Sequence, residues 1–238
     1  MPTTTTVGTS SAANQKLGGT PHIHYFDFFS RGRGQVIRLL CEDAGIAYTD
    51  TRYTFDEFPS QKDGKLGDMN PLKAVPVVEL NGKILTQSYA ILRSWSRQLG
   101  EYDGKTEEEK YFVDAVGDLG ADSQPLTNLP GRTLFVIAFL SPNKDTAYPE
   151  HCKTDRVRYL SAIESHLKQS PLSQKGPFVL SDRITYADLV VYQVIHDEGL
   201  TKDERAGLKD YPRLKQLVDG VESRPGVKYF LGSDRYKG

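Results

Sequence analysis

Val75-Pro76-Val77-Val78-Glu79-Leu80-Asn81-Gly82-Lys83-Ile84-Leu85-Thr86-Gln87-Ser88 reads as two short strands joined by a two-residue turn, with a helix beginning at the far end. Val75–Leu80 and Lys83–Thr86 supply the apolar and β-branched residues of a pleated surface. Asn81-Gly82 between them tolerates the positive φ values that a tight hairpin turn demands. After Ser88, residues Ile91, Leu92, Trp95 and Leu99 recur on one helical face, and Gly100 ends the helix.

Upstream, His22–Phe28 is aromatic-rich and roughly alternating, which reads as a strand. Past Ser30-Arg31-Gly32-Arg33-Gly34 the period changes, with Val36, Ile37, Leu39, Leu40 and Ala44 at helical spacing before Gly45. Ala47–Tyr53 reads as a second strand, and the polar connection Phe55–Met69 has room for a short helix. The resulting β-α-β-(α)-β-β-α order predicts a small mixed sheet covered by helices, and thioredoxin-like topology fits it over residues 21–100.

Residues 101–106 read as a linker, and residues 107–238 as an all-helical domain. Glu107–Leu119, Thr154–Leu167, Asp188–His196 and Tyr211–Ser223 carry helical periodicity. Residues 125–153 hold four prolines and the apolar run Leu134–Leu140, which fits a helix or a buried strand; helical neighbours favour the helix. Thr185-Tyr186-Ala187-Asp188 has the form of a reciprocal helix cap, a folding device with no catalytic part. The first 20 residues are mainly Thr, Ser, Gly and Ala. They lack the apolar stretch of a secretory signal and the means to bury much surface, so a disordered arm is expected.

Charge is balanced, 30 Lys and Arg against 31 Asp and Glu among 238 residues. No basic surplus points to nucleic acid. Apolar runs such as Thr133–Leu140 are far shorter than the roughly 20 residues of a membrane span. Cys41 and Cys152 form neither a C-x-x-C motif nor a metal-ligand spacing. His22 and His24 alternate on the first strand, and no third ligand for a metal is evident along the chain.

Over residues 22–232 the chain resembles the cytosolic glutathione S-transferase superfamily, closest to its sigma-like and fungal members. Tyr25-Phe26 followed by Arg31-Gly32-Arg33 resembles the strand-to-helix junction of tyrosine-type classes. Val75-Pro76-Val77 resembles the cis-proline segment, Gln87-Ser88 the γ-glutamyl site, and Thr185–Asp188 the helical-domain cap. Tyr211-Pro212-Arg213-Leu214 and Arg224-Pro225-Gly226-Val227 resemble the C-terminal helix and its end.

The resemblance implies glutathione as co-substrate, no metal, a cytoplasmic homodimer and an electrophilic small molecule as second substrate. X-Pro bonds are cis in only about 5–6% of cases in folded proteins, so a cis Val75-Pro76 bond is an expectation of the resemblance alone. It would let the Val75 backbone meet the cysteinyl part of glutathione as a short β-addition. Gln87 and Ser88, at a helix start, suit the γ-glutamyl carboxylate. Arg31 and Arg33 flank the thiol, while Phe58 and Lys62, with Lys65 and Lys73 as alternatives, fall near the glycyl end. Phe58 stands where tryptophan is more usual. Asp118 resembles the acidic residue that reaches the neighbouring subunit's glutathione, which implies the homodimer.

One hydroxyl donated to the sulfur would favour the thiolate. Tyr25 occupies the catalytic tyrosine position, but Phe29-Ser30 adds two residues before Arg31, and Ser30 lands where serine-type members place theirs. Both remain candidates. The expected function is glutathione conjugation. A glutathione-dependent isomerase of the prostaglandin D synthase type and a non-catalytic ligand carrier are the alternatives, and the absence of an active-site cysteine disfavours a thiol reductase.

Overall fold

The computed structural model describes residues 1–122 and 144–238. They form two compact units, Met1–Tyr102 with Glu222–Gly238, and Asp103–Val221. The expected helix over Leu134–Leu140 lies outside the described residues.

The first unit is built on a five-stranded sheet in the order β1-β3-β2-β4-β5, comprising β1 (Thr3–Val7), β2 (His22–Phe26), β3 (Tyr48–Tyr53), β4 (Val77–Leu80) and β5 (Lys83–Thr86). Only β2 and β3 run parallel, joined by helix α2 (Arg33–Ala44) as crossover; the other pairs are antiparallel. Asn81 (φ 49°) and Gly82 (φ 72°) both take positive φ, as the hairpin turn requires. Helix α5 (Ser88–Leu99) follows, burying Ile91, Leu92, Trp95 and Leu99, and Gly100 closes it. The connection after β3 holds two short helices, α3 (Phe58–Lys62) and α4 (Lys65–Met69).

The N-terminal arm is ordered, contrary to the composition-based expectation. Its threonines add β1 to the free edge of β3, with Thr4 and Thr51 hydroxyls 2.8 Å apart. Helix α1 (Ala12–Leu17) is capped by Ser11, and Asn14 is buried. The Asn14 amide accepts from the Ala47 N–H at 2.9 Å and donates to its carbonyl at 2.8 Å. Backbone pairing and one buried amide fix a segment that has almost no apolar surface to bury.

The second unit is helical among the described residues: α6 (Glu107–Asp122), α7 (Lys144–Lys153), α8 (Asp155–Gln169), α9 (Tyr186–Asp197) and α10 (Pro212–Ser223), whose last two residues fall in the first unit. Gly117 and Gly120 leave room for α6 against α9, since a methyl on either would press on Tyr186 or Val190. Helix α11 (Pro225–Leu231) buries Val227 and Phe230 against α2 and belongs to the first unit, so residues 222–238 depart from the expected 107–238 domain. Arg224 anchors it, its Nε 3.0 and 3.1 Å from the two Asp43 oxygens, and Tyr102 donates to the same carboxylate.

The cap at α9 is fully buried. One Asp188 oxygen accepts from the Thr185 N–H (2.7 Å) and hydroxyl (2.8 Å), the other from the Val179 N–H (2.7 Å). Burial pushes the Asp188 carboxyl up to about 7, against the opposing pull of these donors and Arg213. Asp188→Ala strands these donors, and we expect it to lower unfolding free energy by about 2–4 kcal/mol in urea titration. An unchanged midpoint would show that the cap is dispensable.

Candidate functional site

Tyr25 stands at the end of β2 with its ring laid over the first turn of α2. Its Oη accepts a 3.0 Å hydrogen bond from the Arg33 N–H. Two glycines make that approach possible. A methyl on Gly34 would run into the Tyr25 ring, and a Cβ on Gly32 would lie 2.6 Å from Oη. A phenol can accept from a backbone amide and also act as a donor. The N-terminal end of a helix also favours negative charge beside it.

Behind the ring lies Arg38, fully buried, with its guanidinium 5.6 Å from the Tyr25 ring centroid. It donates to Asp50 through Nε (3.1 Å) and Nη2 (2.8 Å), and Arg52 Nε reaches the other carboxylate oxygen at 2.7 Å. Burial alone would raise the Asp50 carboxyl; Arg38 and Arg52 outweigh it and hold the group below the usual carboxylate range. In the sequence Arg38 stands out only as an anomaly. Its signal was a cation set directly among Val36, Ile37, Leu39 and Leu40, where a helix facing a sheet ordinarily carries none.

The two extra junction residues bend the chain sharply. Phe29 takes a φ of 48° and points outward, 57% exposed, while Phe28 turns inward against Phe55 with centroids 5.5 Å apart. Ser30 is then wholly buried, and its Oγ accepts from the Lys237 N–H at 2.9 Å. The Lys237 amine reaches Asp27 at 3.3 Å. The C-terminal tail therefore covers Ser30, a contact that no local pattern announces.

The cis Val75-Pro76 bond expected from the resemblance is present. The β2–β4 register ends at His24 opposite Val77, so residues 75 and 76 leave the ladder alongside Phe26 and Tyr25. Gln87 (φ 67°) turns β5 into α5, and Ser88 is buried at that helix start. The Arg33 guanidinium lies 5.5 Å from the Tyr89 ring centroid, which brings the starts of α2 and α5 together. Tyr25, Arg33, residues 75–76 and residues 87–88 thus share one end of the sheet. Arg31 is half-buried at the same junction.

Phe58 sets its ring edge-on to Phe26 with centroids 4.6 Å apart, and Lys62 ends the same helix, partly exposed. The Lys73 amine is 2.9 Å from Asp63 and holds that carboxyl below its usual range, while Lys65 pairs with Glu79 at 3.2 Å. Asp118 is exposed on α6, in the other unit. No described helix is long and apolar enough to cross a membrane.

Residues 21–93 match the family described as glutathione S-transferase, N-terminal domain, and residues 133–234 the glutathione S-transferase, C-terminal domain. Glutathione S-transferase alpha-3 of Rattus norvegicus is 31% identical over 225 residues, 92% of this chain and 92% of the relative. Glutathione S-transferase 1 of Ascaris suum is 28% identical over 208 residues, covering 87% of this chain and 93% of that one. The solved structure of NaGST-2 superposes with a TM-score of 0.70 at 26% identity, covering 90% of this chain and 97% of the other.

Proposed function

The chain belongs to the glutathione S-transferase family, and we propose that it joins the thiolate of glutathione to an electrophilic small molecule, with Tyr25 as the thiol-activating group. The observation that carries this is the Tyr25 hydroxyl pinned on the Arg33 N–H at a helix start. A thiol with an ordinary pKa of about 8.5 is mostly protonated at neutral pH. A donated phenol proton and the adjoining helix terminus both favour its thiolate. Ser30 is the weaker candidate, because its hydroxyl is buried beneath the Lys237 backbone.

In this reading the backbone at Val75-Pro76 receives the cysteinyl part, Gln87 and Ser88 receive the γ-glutamyl carboxylate, and Arg31 and Arg33 add positive charge. Phe58 and Lys62 serve the glycyl end, the feature that supports a sigma-like placement; Lys73, engaged by Asp63, is the less available partner. Asp118 acts across a homodimer, and the free thiols Cys41 and Cys152 suit a cytoplasmic setting.

The test is retention on immobilised glutathione together with conjugation of an aryl halide or isothiocyanate. Retention with turnover is expected. Retention with no turnover across several electrophiles would replace the enzyme by a carrier, and the absence of both retention and turnover would overturn the reading.

A further inference from the structure

A second cluster lies on the sheet, one residue along β2 from Tyr25. His22 and His24 alternate on β2 and project to one face, and the antiparallel register sets Glu79 of β4 directly opposite His22. Glu79 Oε1 is 2.8 Å from His24 Nε2 and 3.7 Å from His22 Nδ1. One ligand atom from each of the three side chains lies within 4.8 Å of the others. The third group that the linear sequence lacks is therefore supplied by strand pairing.

The remaining ring nitrogens are held from behind by the neighbouring strand. His22 Nε2 is 2.7 Å from the Thr51 hydroxyl, and His24 Nδ1 is 2.8 Å from the Tyr53 hydroxyl. Outer partners of this kind orient imidazoles in metal sites and fix which nitrogen is free to ligate. A tyrosine or threonine hydroxyl both donates and accepts, so it can hold either tautomer. His24 can thus shift its proton from Nε2 to Nδ1 and present the Nε2 lone pair.

The cluster is also reachable. His24 is buried, but the side chains of His22 and Glu79 are 31% and 32% exposed. Lys65 pairs with Glu79 at 3.2 Å, and its side chain is 65% exposed, so it can swing out into water and release the carboxylate.

We propose that His22, His24 and Glu79 form a binding site for a divalent transition-metal cation of the Zn2+ class, distinct from the glutathione site. Two imidazoles and one carboxylate suit a borderline-soft ion, with a water completing the coordination. Metal–ligand bonds of about 2.0–2.1 Å place tetrahedral ligand atoms about 3.3 Å apart. The two separations from Glu79 Oε1, 2.8 and 3.7 Å, bracket that spacing. The bound ion would tie β2 to β4 across the middle of the sheet.

The experiment is Zn2+ titration of the full chain after chelator treatment, read by equilibrium dialysis with metal analysis, and repeated with Co2+ for its visible d–d absorption. The expected result is one Zn2+ per chain, low-symmetry Co2+ absorption, and at least about tenfold weaker binding in both Glu79→Gln and His22→Ala. Both variants should keep their circular dichroism and glutathione conjugation, since neither residue belongs to the Tyr25 site. Absence of stoichiometric binding, or variants that bind like the parent through other histidines or cysteines, would overturn the proposal. Neither outcome bears on glutathione turnover, so the site stands or falls apart from the transferase reading.

Discussion

Tyr25→Phe is expected to lower kcat/KM for glutathione conjugation on the order of 10²-fold, the scale seen when one preorganised donor to a developing anion is removed. The substitution is conservative in every other respect. The ring keeps its seat on Gly34 and its place beside the Arg38 guanidinium; Oη is lost together with the hydrogen bond it accepts from the Arg33 N–H. Retention on immobilised glutathione should persist, because the peptide contacts assigned to residues 75–76 and 87–88 are untouched. The pH dependence supplies the sharper readout. Without the donated proton the bound thiol ionises at higher pH, so the rate profile moves to the alkaline side and part of the lost activity returns there. Ser30→Ala should leave the profile where it was. An inactive Ser30→Ala beside a near-normal Tyr25→Phe would transfer the role to the serine.

Arg38→Ala is expected to cost about 3–5 kcal/mol of unfolding free energy, measured in urea at neutral pH, because it strands a buried carboxylate. Arg38 and Asp50 are both essentially inaccessible, with side-chain exposures of 0% and 3%. Arg52 remains as one partner, but its hydrogen bond reaches only the second Asp50 oxygen. The loss should depend on pH with a definite sign. Asp50 is depressed in the folded state, so the stability it contributes is present above the ordinary carboxylate pKa of about 4 and is lost as pH falls through the folded value. The difference between parent and variant should therefore narrow at pH 3. A gap of equal size at both pH values would assign the effect to lost packing of the arginine stem. Conjugation by the folded variant should also fall, since the cation beside the Tyr25 ring is gone.

Arg38 shows what the linear pattern conveyed and what it did not. Its helix was legible from Val36, Ile37, Leu39, Leu40 and Gly45, because a 3.6-residue period marks one buried face. The arginine on that face was visible as an anomaly, but its partner Asp50 lies on a separate strand. Ser30 is the same lesson at longer range. Read locally it stays a candidate beside Tyr25; the chain returns 207 residues later to cover it with the Lys237 backbone. The arm fails differently. Composition measures apolar burial, and β1 and α1 are held mainly by strand pairing and by Asn14 on Ala47, with Leu17 adding one buried apolar side chain.

From His22 to Gly100 the sequence by itself determined the main elements and their order, because hydrophobic period, the Asn81-Gly82 turn and the helix-stopping glycines act within a few residues. Its motifs also singled out residues 75–76 and 87–88, which the proposed function assigns to glutathione. Only the tertiary structure decided which hydroxyl rests on a helix start, which is sealed, and that Glu79 completes the pair begun by His22 and His24. Those outcomes depend on strand register and on a returning C-terminal tail. Such long-range contacts are set by the packing of the whole unit, and leave no periodic trace in the residues that make them.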